Sequence, residues 1–265
     1  MKNVTFSEKR DVEAIIESGV VTQDSVVSVI SSIAKYNCSV KHMNDQDNCN
    51  FIKNWLTIHY AHYVETELHS VIRQKVEAAH TYRLLESDDL LIYQSELDVI
   101  VASGDIQTQK VLFALLCIAK LQKNLFGYKN GKYKFALTNI FKLARVHIPS
   151  TERNKFMHGL LSSGYIGAPF KVDDEQRYIT FMSDNEDEQP VIKINEIDFY
   201  ELAYVYENWK NGNKGFTRCE SCGRLIKQSK TKPRKYCEEC AKDAVRESWK
   251  EASKKYRDSK NNKTS

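Results

Sequence analysis

The residues best suited to chemistry lie near the C-terminus as two cysteine pairs: Cys219-Glu-Ser-Cys222 and, after fourteen residues, Cys237-Glu-Glu-Cys240. Two C-x2-C pairs at that separation have the spacing of a zinc site, because each pair reaches one ion from a single turn. Four thiolates at about 2.3 Å complete a tetrahedral Zn2+. No position is left for a catalytic water, so one structural ion is expected. The flanking chain has few large apolar residues, only Leu225, Ile226, Tyr236 and Trp249. Metal binding would therefore supply much of this segment's folding free energy.

The other cysteines argue against disulfides. Cys38, Cys49 and Cys117 bring the total to seven, an odd number. The opening Met1-Lys-Asn-Val-Thr-Phe-Ser-Glu-Lys-Arg lacks the apolar core of a secretory leader. No run approaches the roughly 18 unbroken apolar residues of a membrane span. A reduced, cytoplasmic protein with bound metal and no membrane contact is the expectation.

The two pairs have different neighbours on their C-terminal sides. Gly223 after Cys222 suits a tight turn with positive φ, which aims backbone N–H groups at the sulfurs. Cys240 leads into Ala241-Lys-Asp-Ala-Val-Arg-Glu-Ser-Trp, a helix-forming run that places the second pair at a helix N-terminus, where the dipole favours thiolate. A knuckle followed by a helix-borne pair resembles a treble-clef zinc finger.

Charge is uneven. The chain carries +4 overall, but 219–260 holds 13 Lys/Arg against 7 Asp/Glu, a local +6 that leaves −2 for the rest. A zinc centre with four thiolates is itself −2 and attracts cations, and Asp243, Glu247 and Glu251 can pair with helix Lys/Arg one turn away. The loop from Gly223 to Tyr236 has no acid, however. Its six cations, Arg224, Lys227, Lys230, Lys232, Arg234 and Lys235, exceed what the centre needs. With Arg246 and Lys250 on the next helix, they are the expected phosphate contacts.

These groups need a scaffold, and three regions are expected. Residues 1–90 read as helices, a scaffold or dimerisation surface. Ser7 caps a helix to Ile16 with Gly19 as its stop, and Asp24 opens a second with Val26, Val27, Val29, Ile30 and Ile33 apolar. After a polar stretch, Asn44 to Asn50, a long helical pattern runs from Phe51 to Leu85. It carries His59, His62, Glu65 and His69, whose loose spacing reads as a surface face rather than a second metal site.

Residues 91–212 form the second region. Helices are expected over Ser95–Ala102, Gln107–Leu121, Leu137–Val146 and Thr151–Ser163, the last capped by Ser150 and ended by Gly164. Val111 to Ala119 is apolar all round, so Cys117 reads as core. Asn130-Gly131 reads as a hairpin turn. Two strands come next, Tyr165–Phe170 and Arg177–Met182. This order resembles a winged helix over roughly 107–182. The resemblance implies that Thr151–Ser163 is a recognition helix, with Phe156, Met157, Leu160 and Leu161 inward. Arg153, Asn154, Lys155 and His158 then turn outward as base or phosphate contacts. Its wing tip would carry Asp173, Asp174 and Glu175, a sign that repels phosphate. Val191–Ile194 is expected as a third wing strand, and 196–210 as one aromatic-rich helix. Asn211 to Gly215 reads as a flexible hinge into the third region, 213–265, the four-cysteine zinc finger with its basic helix.

The fold class expected is therefore mainly α with small β elements. No P-loop, G-x-S-x-G or H-E-x-x-H is present, so a binding role rather than catalysis is expected. Three segments, Ser31-Ser-Ile-Ala-Lys-Tyr-Asn37, Leu112 to Lys120 with Asn139 to Val146, and the four-cysteine element, resemble uncharacterised phage and mobile-element proteins of Gram-positive bacteria. That resemblance implies a regulatory or replication-associated role. Taken with the winged-helix order, the expectation is a transcriptional or replication regulator acting on double-stranded DNA, and the N-terminal helices are the expected homodimer surface. Two alternatives stand beside it: an RNA- or ribosome-associated zinc protein, and an adaptor that inhibits a host complex. The many Tyr and Trp side chains favour the adaptor.

Overall fold

The computed structural model describes residues 6–82, 84–128, 131–133, 137–168, 177–183, 187–229 and 233–261; the side chains of 251 and 255–261 are outside that description. The protein is mainly helical with small antiparallel sheets, as its sequence implies. It divides into two compact units, Met1–Asp88 and Asp89–Ser265. No described helix is long and apolar enough to cross a membrane.

The first unit contains α1 (Glu8–Ser18), α2 (Val26–Ser39), α3 (Asp45–His59) and α4 (Glu65–Ala79). Ser7 caps α1 by accepting from the Arg10 N–H, and Gly19 closes it at φ 67°, as expected. α2 packs against all three other helices. Its Ile30 and Ile33 meet Ile52, Trp55 and Leu56 of α3 and Ile72 and Val76 of α4 in one apolar core.

One expectation fails here. The pattern from Phe51 to Leu85 is not one helix: the chain turns at Tyr60, which is buried, and restarts from an extended Val64. Two shorter helices can both lay an apolar face on α2, which one long helix could not. The polar stretch Asn44 to Asn50 supplies the cap and the first turns of α3. Asn44 caps α3 by accepting from the Asp47 N–H at 2.9 Å. Asn48 is buried, accepting from Asn37 Nδ2 and donating to the Ala34 carbonyl, both at 3.0 Å.

The second unit begins with β1 (Leu90–Tyr93), α5 (Gln94–Ala102) and α6 (Ile106–Phe126). Asp105 caps α6 by accepting from the Gln107 and Thr108 N–H groups. Val111 to Ala119, including Cys117, is wholly buried. Helix α6 is the axis of this unit, touching α5, β1 and the elements β2 (Lys132–Tyr133) and α7 (Leu137–Leu143). After α7 come α8 (Ser150–Ser162), β3 (Ile166–Gly167) and β4 (Arg177–Ile179). The three strands form one antiparallel sheet in the order β2-β4-β3.

Pro149, not Ser150, is the cap residue of α8, and Ser150 is its first helical residue. The expected turn at Asn130 and the acidic tip at Asp173, Asp174 and Glu175 lie outside the described residues. β5 (Pro190–Ile194) does not join the three-stranded sheet. It pairs with β1, in the register Leu90↔Ile194 and Ile92↔Ile192. All four of these side chains are buried, which is what selects the partner. The aromatic segment also divides, into α9 (Glu196–Phe199) and α10 (Leu202–Lys210). Phe199 and Tyr206 are core residues, and the Tyr206 ring lies 5.1 Å from that of Phe113.

Beneath α5 a buried ion pair joins Glu96 to Lys120 at 2.8 Å. Glu96 also accepts from the N–H groups of Tyr93 and Ser183, so the charge is solvated by protein donors.

Candidate metal centre

The remaining elements are a hairpin, β6 (Phe216–Arg218) and β7 (Leu225–Lys227), and a long helix, α11 (Glu238–Asn261). Cys219 and Cys222 sit in the hairpin turn. The Cys219 N–H donates to the Arg224 carbonyl at 2.8 Å, and the Gly223 N–H donates back to the Cys219 carbonyl at 3.0 Å. Gly223 has φ 74°, a conformation in which a side chain is strained, so glycine is required there. Cys237 immediately precedes α11, and Cys240 lies in its first turn.

The four sulfurs converge, all within 4.8 Å of one another, and Cys222 Sγ lies 3.7 Å from Cys237 Sγ. A tetrahedral ion with sulfur ligands at 2.3 Å has S···S edges of about 3.8 Å, so the group fits one such ion. Backbone donors support it: the Cys237 N–H reaches Cys219 Sγ at 3.3 Å and the Cys240 N–H reaches Cys237 Sγ at 3.4 Å. Burial opposes ionisation of Cys219, but the N–H groups of Cys222, Cys237 and Ser221 outweigh it and lower that thiol to about 6. Burial and the neighbouring sulfurs push Cys222 up to about 12. Cys219 is thus the readier of these two to meet a cation, and Cys222 must lose its proton before it can ligate. Among the described residues no other group of three such side chains gathers this way, and His59, His62, Glu65 and His69 do not.

The module is docked, contrary to the expected hinge. Arg218 makes two bonds to Asp198 of α9, at 2.8 and 3.0 Å. Glu207 of α10 binds Lys227 of β7 at 2.6 Å and also pairs with Lys110 of α6. Burial disfavours the Glu207 charge, but the two ammonium groups overcome it and hold the carboxyl below its usual range. The Tyr204 and Phe216 rings meet at 5.6 Å, and the Gln228 N–H donates to the Gly215 carbonyl. In sequence, Asp198 and Glu207 carry no signal, because isolated helix acids look like ordinary surface charge.

The cations of the basic loop are partly engaged. Arg224 pairs with Glu239, Lys227 with Glu207 and Lys235 with Glu220, while the Arg234 backbone exchanges two bonds with the Gln228 side chain. On α11, Arg246 pairs with Asp243 and Lys250 with Glu247. Exposed pairs such as Lys235–Glu220 and Lys250–Glu247 are weak, whereas Lys227 is held by a carboxylate only 12% exposed. Lys230 and Lys232 lie outside the described residues.

On α8, Asn154, Lys155 and His158 are exposed as expected. Arg153 is not turned outward. It is half-buried, donating to the Ile148 carbonyl at 3.0 Å and to Thr138 Oγ1 at 3.3 Å, with its guanidinium over the Phe141 ring. A guanidinium satisfies its donors on nearby acceptors when the helix start offers them, so Arg153 ties α8 to α7. Leu160 is buried, but Leu161 is exposed, so the inward stripe is narrower than expected. No family model, curated protein or solved structure matches this chain.

Proposed function

We propose that this chain is a zinc-stabilised DNA-binding protein that acts as a regulator, with a structural Zn2+ held by Cys219, Cys222, Cys237 and Cys240. The observation that carries the reading is the order α6-β2-α7-α8-β3-β4 with β4 central in the sheet. That is the order of a winged helix, in which the third helix enters the major groove. Asn154, Lys155 and His158 on α8 are its base and phosphate contacts, with Arg153 holding the helix start in place. The docked zinc module adds sequence-independent phosphate affinity through Arg224, Lys227, Arg234 and Lys235. The phage or mobile-element setting rests on sequence resemblance alone.

Fluorescence anisotropy with a random DNA duplex and a single-stranded RNA, at low and moderate salt, tests this. Duplex binding that weakens steeply with salt supports the reading, and a site then selected from a random pool should lose its advantage over random duplex in Asn154→Ala/Lys155→Ala. Preference for RNA moves the function to the module alone. A specific observation favours a second reading, a protein-binding adaptor: Trp249 and Val245, one turn apart on α11, are 72% and 57% exposed. Stoichiometric capture of one host protein after nuclease treatment, lost in Trp249→Ala, would establish the adaptor instead.

A further inference from the structure

The first unit holds a second arrangement of reactive groups. Cys38 lies in the last turn of α2, Asp45 is the first residue of α3, and His80 ends α4. Cys38 Sγ lies 3.6 Å from His80 Nδ1, and His80 Nε2 lies 2.6 Å from Asp45 Oδ1. A carboxylate only accepts, so Nε2 carries the hydrogen that is donated to Asp45. The neutral ring then has its lone pair on Nδ1, facing the thiol. The Cys38 S–H donates to Nδ1, and the imidazole stands ready to take that proton. Nucleophile, base and orienting acid are thus in the order used to activate a thiol.

The scaffold beneath them is locked. Asn37, beside Cys38, and Asn48, three residues from Asp45, form the buried amide pair between α2 and α3. The thiol and the carboxylate therefore sit on rigid elements rather than loops. The relay also faces solvent: Cys38 is half-buried, and the His80 and Asp45 side chains are 54% and 61% exposed.

We propose that Cys38, with His80 as its base and Asp45 as a positioning residue, is a reactive-thiol site whose substrate class is a small disulfide. His80 Nδ1 takes the thiol proton, Cys38 Sγ attacks one sulfur of the disulfide, and the S–S bond breaks. A mixed disulfide forms on Cys38, and His80 returns the proton to the leaving thiolate. One protein thiol is oxidised as one reagent sulfur is reduced, so no further oxidant is needed. Acyl transfer would require preorganised donors for an oxyanion. Exchange requires only an open line to the sulfur.

Cys49 is the internal control. It is also half-buried, on α3, but burial and then the Asp45 carboxylate push its thiol up. The test treats the full-length, zinc-loaded chain with iodoacetamide and, separately, with glutathione disulfide, and follows each cysteine by peptide mass spectrometry. Cleavage after Lys35, Lys41 and Lys53 puts Cys38 and Cys49 on different peptides.

Cys38 is expected to react about tenfold faster than Cys49 with both reagents. His80→Gln should reduce Cys38 to about the Cys49 rate. In protein that keeps the wild-type melt, Asp45→Asn should slow Cys38 while speeding Cys49, and Asp45→Glu should restore Cys38. Circular-dichroism melts check that each variant is folded. Equal rates for the two cysteines overturn the proposal. So does a Cys38 rate that ignores both His80→Gln and Asp45→Asn in folded protein. Should His80→Gln fail to fold, the Asn and Glu variants at position 45 decide.

Discussion

The N-terminal unit and the cysteine module are built on opposite principles. In the first, Ile30, Ile33, Ile52, Leu56 and Ile72 have no exposed surface, and many side chains share one apolar core. In the second, Cys219, Leu225 and Ile226 are buried, and every described side chain from Lys242 onward is exposed. Apolar burial spreads stability over many contacts, so one deletion removes a fraction of it. A metal node concentrates stability in four sulfurs, so one deletion removes nearly all of it. The module adds only a few anchors of its own, Arg218 to Asp198 and Lys227 to Glu207.

The sharpest way to break this contrast is Cys237→Ser. A structural zinc contributes on the order of 10 kcal/mol to its domain. Amide-exchange protection in 216–250 should vanish with the metal, while that of α1 to α4 stays unchanged. Protection surviving in the module would mean that it folds by packing. Ile33→Ala is the mirror experiment, expected to cost about 2–5 kcal/mol in denaturant unfolding and to leave metal content untouched.

Arg218→Ala should cost about 1–3 kcal/mol, because it strands the buried Asp198 carboxylate. Exchange in β6 and β7 would report the loosened dock. Acidity probes the node itself. Cys219 is a thiolate above about 6, and Cys222 holds its proton up to about 12. Metal binding between those values must expel at least the Cys222 proton, so affinity should fall as pH falls, about tenfold per unit per proton released. Competition with a chromophoric chelator at two pH values in that window measures the slope. The smallest effect is expected for Lys227→Ala, under about 1 kcal/mol, since its partner Glu207 keeps Lys110.

Much of the helical layout was legible. Ser7, Gly19 and the run Val111–Ala119 carry local signals, a cap, a left-handed stop and an all-round apolar face, that need no tertiary information. The breaks at Tyr60 and at Tyr200-Glu201 were not legible, because neither contains glycine or proline. They exist because a second helix direction buries more surface. The partner of β5 was illegible for a related reason: alternating apolar residues specify a face and leave the neighbouring strand open. Arg153 was misjudged because helix periodicity says which face a residue occupies, while its long side chain curled back to acceptors at Ile148 and Thr138.

By itself the sequence determined which four cysteines form the candidate metal site and the apolar identity of the main helices. Ligand type, C-x2-C spacing and hydrophobic period all act over one or two turns of chain. Only the tertiary structure decided that the module docks through Asp198 and Glu207, and that Cys38, Asp45 and His80 meet. Those contacts join residues 20 to 42 positions apart, and their energy exists only once packing has fixed the helices that carry them.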